Sequence, residues 1–102
     1  MQDTAAALAA GVPVIDVRER DEWEALHIEG VRLVPLADFR ADPEAVIVRG
    51  RVTVFICAKG VRSMSAAKLA ERFGYENLFN LEGGTRAWAD AGLPTAAARV
   101  AA

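Results

Sequence analysis

Val52-Thr53-Val54-Phe55-Ile56-Cys57-Ala58-Lys59-Gly60-Val61-Arg62-Ser63 is the stretch on which the fold turns. Its first five residues are β-branched or aromatic and carry no charge, as in a strand buried on both faces. The residues from Cys57 to Arg62 break that run and read as a loop. From Ser63 to about Phe73 the pattern becomes helical. Ala66, Leu69, Ala70 and Phe73 recur at i, i+3, i+4 and i+7 and make one apolar face. Gly74 supplies the stop.

The same alternation continues on both sides. Upstream, Asp3 or Thr4 is placed to cap a short helix over Ala5 to Ala10, stopped by Gly11 and Pro13. Val12 to Val17 reads as a second buried strand. Arg18 to Leu26 is a charged helical turn or two, with Trp23 and Leu26 on one face. Val31 to Val34 is a short strand closed by Pro35, and Asp42-Pro43 has the form of a helix start. Arg49-Gly50-Arg51 is an exposed turn. Downstream, Leu78 to Leu81 is a strand, Gly83-Gly84 a turn, and Thr85 to Ala91 a helix ended by Gly92 and Pro94. This order predicts an α/β fold: one domain over residues 1–102, with a central parallel sheet of four or five strands and helices on both faces. Its core is expected over about residues 12–94, with 95–102 as a frayed, Ala-rich tail.

Composition narrows the function. A chain of 102 residues holds one domain, and 53% hydrophobic content is enough for one core. Its apolar runs are only a few residues long, so no membrane partner is expected. A net charge of −2 and a pI near 5.3 argue against a nucleic-acid partner. One cysteine and one histidine exclude an internal disulfide and a Cys-rich zinc centre, and no metal site is expected. The first residues lack the basic start of a secretory signal, which points to the cytoplasm; a monomer is expected.

The chemistry concentrates at Cys57. Ligands of open α/β sheets bind at the carboxyl ends of strands, where Cys57 falls. A loop curling into a helix can aim successive N–H groups inward as an anion cradle, and Gly60 permits a tight curl. The helix end, Lys59 and Arg62 favour the thiolate, the nucleophilic form of sulfur. The bland alternative is a small buried hydrophobe at a strand end. Two cations and a glycine within five residues of the thiol favour the reactive reading.

Other residues weigh less. Asp16 and Arg18 end the first core strand and should approach the loop if the two strands share an edge. Asp16 would then brace the loop or pair with Lys59; the alternative is a structural ion pair or a helix cap. His27 is expected to be structural, bonded to a carboxylate or the backbone. Ser63 is either a helix N-cap or a hydrogen-bond donor to the Cys57 sulfur. Trp23, Trp88 and Phe55 read as core, Gly83 and Gly84 as backbone geometry, and Glu71, Arg72, Glu76 and Arg86 as surface.

These segments resemble the rhodanese family of sulfurtransferases from about Val12 to Pro94. Val14-Ile15-Asp16-Val17-Arg18-Glu19 looks like its first strand motif. Glu22-Trp23 followed by His27-Ile28-Glu29-Gly30-Val31 is similar to its acidic–aromatic pair and its His-Ile segment. Cys57 to Ser63 resembles the active loop. Gly74-Tyr75 through Leu81, then Gly83-Gly84 and Ala87-Trp88, resemble its C-terminal signature.

The resemblance implies sulfur transfer through a Cys57 persulfide, from thiosulfate or another persulfide donor to cyanide or a thiol, without metal or organic cofactor. A protein donor or acceptor is a variant of the same reading. Backbone N–H groups of Ala58, Lys59, Gly60, Val61, Arg62 and Ser63 would hold the persulfide, and the Lys59 and Arg62 side chains would guide an anionic donor.

Three positions depart from the family pattern. Leu26 stands where Gly is common, Ala58 where thiosulfate enzymes often carry a basic residue, and Glu22 where some carry another. Two rivals remain. Cysteine-dependent phosphatases and arsenate reductases resemble this layout but space Cys and Arg by one residue more. Here four residues separate them and Arg62 closes a six-residue loop, a cradle sized for sulfur. Non-catalytic regulatory modules of this fold usually lack the Cys, which this chain retains.

Overall fold

A strand presents alternate side chains to opposite faces, and here that alternation divides the core into two layers. The protein is described by a computed structural model covering residues 2–96. In chain order it forms α1 (Gln2–Ala9), β1 (Val14–Asp16), α2 (Arg20–Ala25), β2 (His27–Ile28), β3 (Arg32–Leu33) and α3 (Leu36–Ala41). A 3₁₀ turn (Pro43–Ala45), β4 (Thr53–Ile56), α4 (Val61–Arg72), β5 (Leu78–Asn80), α5 (Gly84–Asp90) and β6 (Thr95–Ala96) follow. Four strands make a parallel sheet in the order β3-β1-β4-β5, the predicted α/β architecture at the lower of its two expected strand counts.

Ile15, Val17 and Phe55 face one layer, where they pack with Phe39 of α3 and with Ala66 and Ala70 of α4. Phe39 and Phe55 meet edge to face, their ring centroids 5.2 Å apart. Val14, Val54 and Ile56 face the other layer, against Leu81, Trp88 of α5, Leu8 of α1 and Trp23 of α2. The sheet is thus covered on both faces, as a parallel sheet requires. Among the described residues no helix is long and apolar enough to cross a membrane.

Several boundaries differ from expectation. α1 begins at Gln2, so Asp3 and Thr4 lie inside its first turn rather than ahead of it. α3 was not anticipated; it buries Phe39 completely. Asp42-Pro43 starts only a 3₁₀ turn, with the Asp42 carboxylate accepting from Ala45 N–H at 3.3 Å. Phe73 lies beyond the apolar face of α4 and is 48% exposed. The frayed tail is corrected at its start. Thr95–Ala96 pair antiparallel with His27–Ile28, and Trp88 Nε1 donates to Pro94 O at 2.9 Å on the approach. Residues 97–102, the rest of that expected tail, lie outside the described residues.

Candidate active site

β4 is an inner strand buried throughout, and its carboxyl end delivers Cys57 to the floor of a short loop. α4 starts at Val61, two residues earlier than the apolar spacing indicated, so only Ala58, Lys59 and Gly60 lie between sulfur and helix. Gly60 makes the turn possible: its φ of 98° is left-handed backbone that favours glycine.

Ser63 is therefore not the N-cap; it is the third residue of α4. An N-cap side chain ordinarily accepts from the second or third N–H of its helix. Here the Cys57 sulfur lies under the start of the helix: the Gly60 N–H donates to it, and the backbone N–H groups of Ser63 and Lys59 also favour its charged form. Gly60 N lies 3.1 Å from Sγ, and Ser63 Oγ lies 3.3 Å away.

The acidity of Cys57 is a balance. Burial, the largest influence, pushes the thiol up; the Ser63 hydroxyl and the three backbone donors pull it down. The donors together prevail, and the thiol lies below its ordinary value. That is the direction expected for a cysteine at a helix start.

The cations are arranged differently from expectation. Both terminal nitrogens of Arg62 bind Glu22, Nη1 to Oε1 at 2.6 Å and Nη2 to Oε2 at 2.9 Å. The Arg62 guanidinium holds the Glu22 carboxyl at about 2, against partial burial, with help from the Glu19 N–H that Glu22 also accepts. In turn Glu22 raises Arg62 further above its ordinary value. Arg62 is thus a paired cation at the rim. Lys59 is exposed and makes no ion pair among the described residues.

Asp16 and Arg18 do reach this end of the sheet, since β1 lies beside β4 with Asp16 opposite Ile56. They form a buried ion pair at 2.9 Å, and Arg18 also donates to Leu26 O at 2.7 Å. Asp16 pairs with Arg18 and not with Lys59, so this pair straps the approach to α2 onto the sheet. His27 stacks on Trp23 with ring centroids 3.7 Å apart, its Nδ1 2.6 Å from Trp23 O, which is the structural role expected of it.

Three contributors were not singled out from the sequence as part of the site. Asn80 at the end of β5 accepts from the Ser63 hydroxyl and donates from Nδ2 to Gly60 O at 3.3 Å. Its signal was a polar residue inside the apolar run Leu78 to Leu81. Thr85 N–H donates to Cys57 O at 2.7 Å, and Arg86 N–H to Ala58 O at 3.1 Å, so the start of α5 clamps the loop. The third is Glu22 as the partner of Arg62: forty positions separate them, and no periodic pattern joins them. Gly84 was assigned a backbone role, and it has one. A Cβ there would stand 2.1 Å from Cys57 O.

Comparison with known proteins gives the family and the fold. The sequence model of the rhodanese-like domain family matches residues 1–91. The chain is similar to the probable adenylyltransferase/sulfurtransferase MoeZ of Mycobacterium tuberculosis. The two are 35% identical over 77 residues, which cover 74% of this chain and 20% of that protein. It is also similar to the putative sulfur carrier protein YrkF of Bacillus subtilis, 32% identical over 75 residues, covering 74% of this chain and 40% of that one. The chain therefore spans less than half the length of either relative. Among solved structures, a rhodanese-related protein from Thermoplasma volcanium superposes with a TM-score of 0.82 at 28% identity, over 93% of this chain and 92% of that one.

Proposed function

The chain belongs to the rhodanese-like family, and from that premise we propose that it is a sulfurtransferase in which Cys57 carries the sulfur as a persulfide. The observation that most supports this is the Gly60 N–H, 3.1 Å from the Cys57 sulfur at the carboxyl end of an inner strand. In the first step the Cys57 thiolate attacks the outer sulfur of a sulfane donor. One S–S bond forms, the donor's S–S bond breaks, and its electron pair leaves on sulfite or on a thiolate. In the second step a thiophilic acceptor, cyanide or a thiol, takes the outer sulfur, and Cys57 returns as thiolate. The cycle calls for no resident metal or organic cofactor. The Gly60 N–H, aided by those of Lys59 and Ser63, stabilises negative charge on the sulfur, while Ala58 completes the loop and Val61 and Arg62 open α4.

The donor reading follows from charge and access. Arg62 is already neutralised by Glu22, which weakens the pull on a dianion such as thiosulfate and favours a persulfide donor. Cys57 is 1% exposed, so the Ala58–Gly60 segment gives way as the donor reaches it. The same pairing neutralises the Arg62 charge that a phosphoryl group would need, and no turnover of an aryl phosphate is expected.

The test is thiocyanate formation from cyanide, with thiosulfate and with glutathione persulfide as alternative donors. Turnover above that of Cys57→Ser is expected with both, faster with the persulfide. No turnover above that variant with either donor overturns the reading.

A further inference from the structure

We propose that Asn80 is a positioning residue that sets the balance between thiol and thiolate at Cys57 by competing for the single hydroxyl proton of Ser63. The inference rests on Cys57 being the nucleophile, as proposed above.

Gly60 O can only accept, so the Asn80 amide must turn its Nδ2 toward it, as observed at 3.3 Å. That leaves Asn80 Oδ1 facing Ser63 Oγ, and Oδ1 can only accept, so Ser63 is the donor. A flipped amide would set Oδ1 against the Gly60 carbonyl, so the orientation is determined by the partners. Ser63 is completely buried, and its hydroxyl faces two acceptors, Asn80 Oδ1 and the Cys57 sulfur at 3.3 Å.

With Cys57 as a thiol, every group is satisfied: S–H points to Ser63 Oγ, and Ser63 O–H points to Asn80. With Cys57 as a thiolate, the sulfur has no proton and can only accept. Ser63 must then turn its proton to the sulfur and abandon Asn80, or keep Asn80 and present a lone pair to negative sulfur. In the persulfide, Sγ carries neither proton nor full charge, and the Ser63 proton returns to Asn80. Asn80 thus favours the resting thiol and the loaded persulfide over the free thiolate.

The experiment titrates the chain's only thiol by its thiolate ultraviolet absorbance, which requires no donor. It compares wild type, Asn80→Leu (which keeps the branched shape without the acceptor), Asn80→Ala, Ser63→Ala and the Ser63→Ala/Asn80→Leu double variant, each checked by thermal melting. Losing the competitor should lower the Cys57 midpoint in both Asn80 variants by about half a unit, roughly three-fold more thiolate below the midpoint. Ser63→Ala should raise it. On the Ser63→Ala background, Asn80→Leu should no longer lower the midpoint, because no proton remains to compete for. A midpoint unchanged or raised in the Asn80 variants, or lowered equally without Ser63, overturns the proposal. Failure of sulfur transfer would instead leave these midpoints as expected, so the two readings fail separately.

Discussion

Two helices begin against the Cys57 loop, and they use their first N–H groups in different ways. At the start of α4 the cap residue, Gly60, donates to a side chain, the Cys57 sulfur, at 3.1 Å. The start of α5 directs its donors at backbone, Thr85 to Cys57 O and Arg86 to Ala58 O. The first forms a place for negative charge that a reaction can create and remove. The second holds permanent carbonyl partners and so keeps the loop where α4 needs it. Both starts depend on left-handed glycine, Gly60 for α4 and Gly83-Gly84 for α5. The lesson is that one helix start supports the chemistry and the other supports the support.

Gly84→Ala should break the comparison most severely. Its Cβ would stand 2.1 Å from Cys57 O and 2.6 Å from Ala58 O, both backbone atoms that cannot rotate away. Its φ of +60° adds strain. A loss of roughly 3 kcal/mol or more is expected in urea denaturation, with sulfur transfer lost as well.

Gly60→Ala should act on the α4 side with less damage. A Cβ there meets only ordinary contacts, the nearest at 3.5 Å, so the cost is the left-handed backbone, about 1–2 kcal/mol. As the strained backbone shifts toward an ordinary φ it carries the residue 60 N–H off the sulfur, so the Cys57 midpoint should also rise, as read by the pH dependence of iodoacetamide alkylation. Glycine substitutions at the two helix starts thus separate: one disrupts the fold, the other shifts the thiol.

Glu22→Gln should have the smallest effect on stability and a visible one on donor choice. Gln retains the reciprocal cap with Glu19 and removes the charge paired to Arg62. The pair is about one-third exposed, so its loss should cost under about 1 kcal/mol. Folding lowers the Glu22 pKa from 4.5 to about 2. Its contribution is therefore complete above the unfolded value and disappears as pH falls through the folded one. Wild type and variant should differ by a constant margin from pH 7 to about 5 and converge between about 4.5 and 2. At neutral pH the variant should load from thiosulfate several-fold faster, while loading from a persulfide changes little.

The parts of this site that were legible in the sequence are those written in consecutive residues. The uncharged run Val52 to Ile56 marked the inner strand, and Cys57 with Gly60 marked the turn after it. The start of α4 lies ahead of its sequence signal because apolar spacing begins only at Ala66 and the cap is Gly60, not a Ser, Thr, Asp or Asn whose side chain caps the helix. β6 was missed because a two-residue strand carries no period, and its pairing with β2 is tertiary. Lys59 and Arg62 were read as equivalent cations; only the fold, which brings α2 over the start of α4, distinguishes the exposed one from the paired one. Asn80 was visible as an oddity in an apolar strand, but its partners Ser63 and Gly60 lie seventeen and twenty positions away.

The central claim is that Cys57 accepts sulfur. Its most direct test is the intact mass of the protein after incubation with thiosulfate and, separately, with a persulfide donor, followed by addition of cyanide. The account predicts that wild type gains the mass of one sulfur atom and loses it to cyanide as thiocyanate, and that Cys57→Ser gains nothing. An unchanged wild-type mass with every donor, or an equal gain in Cys57→Ser, would contradict it.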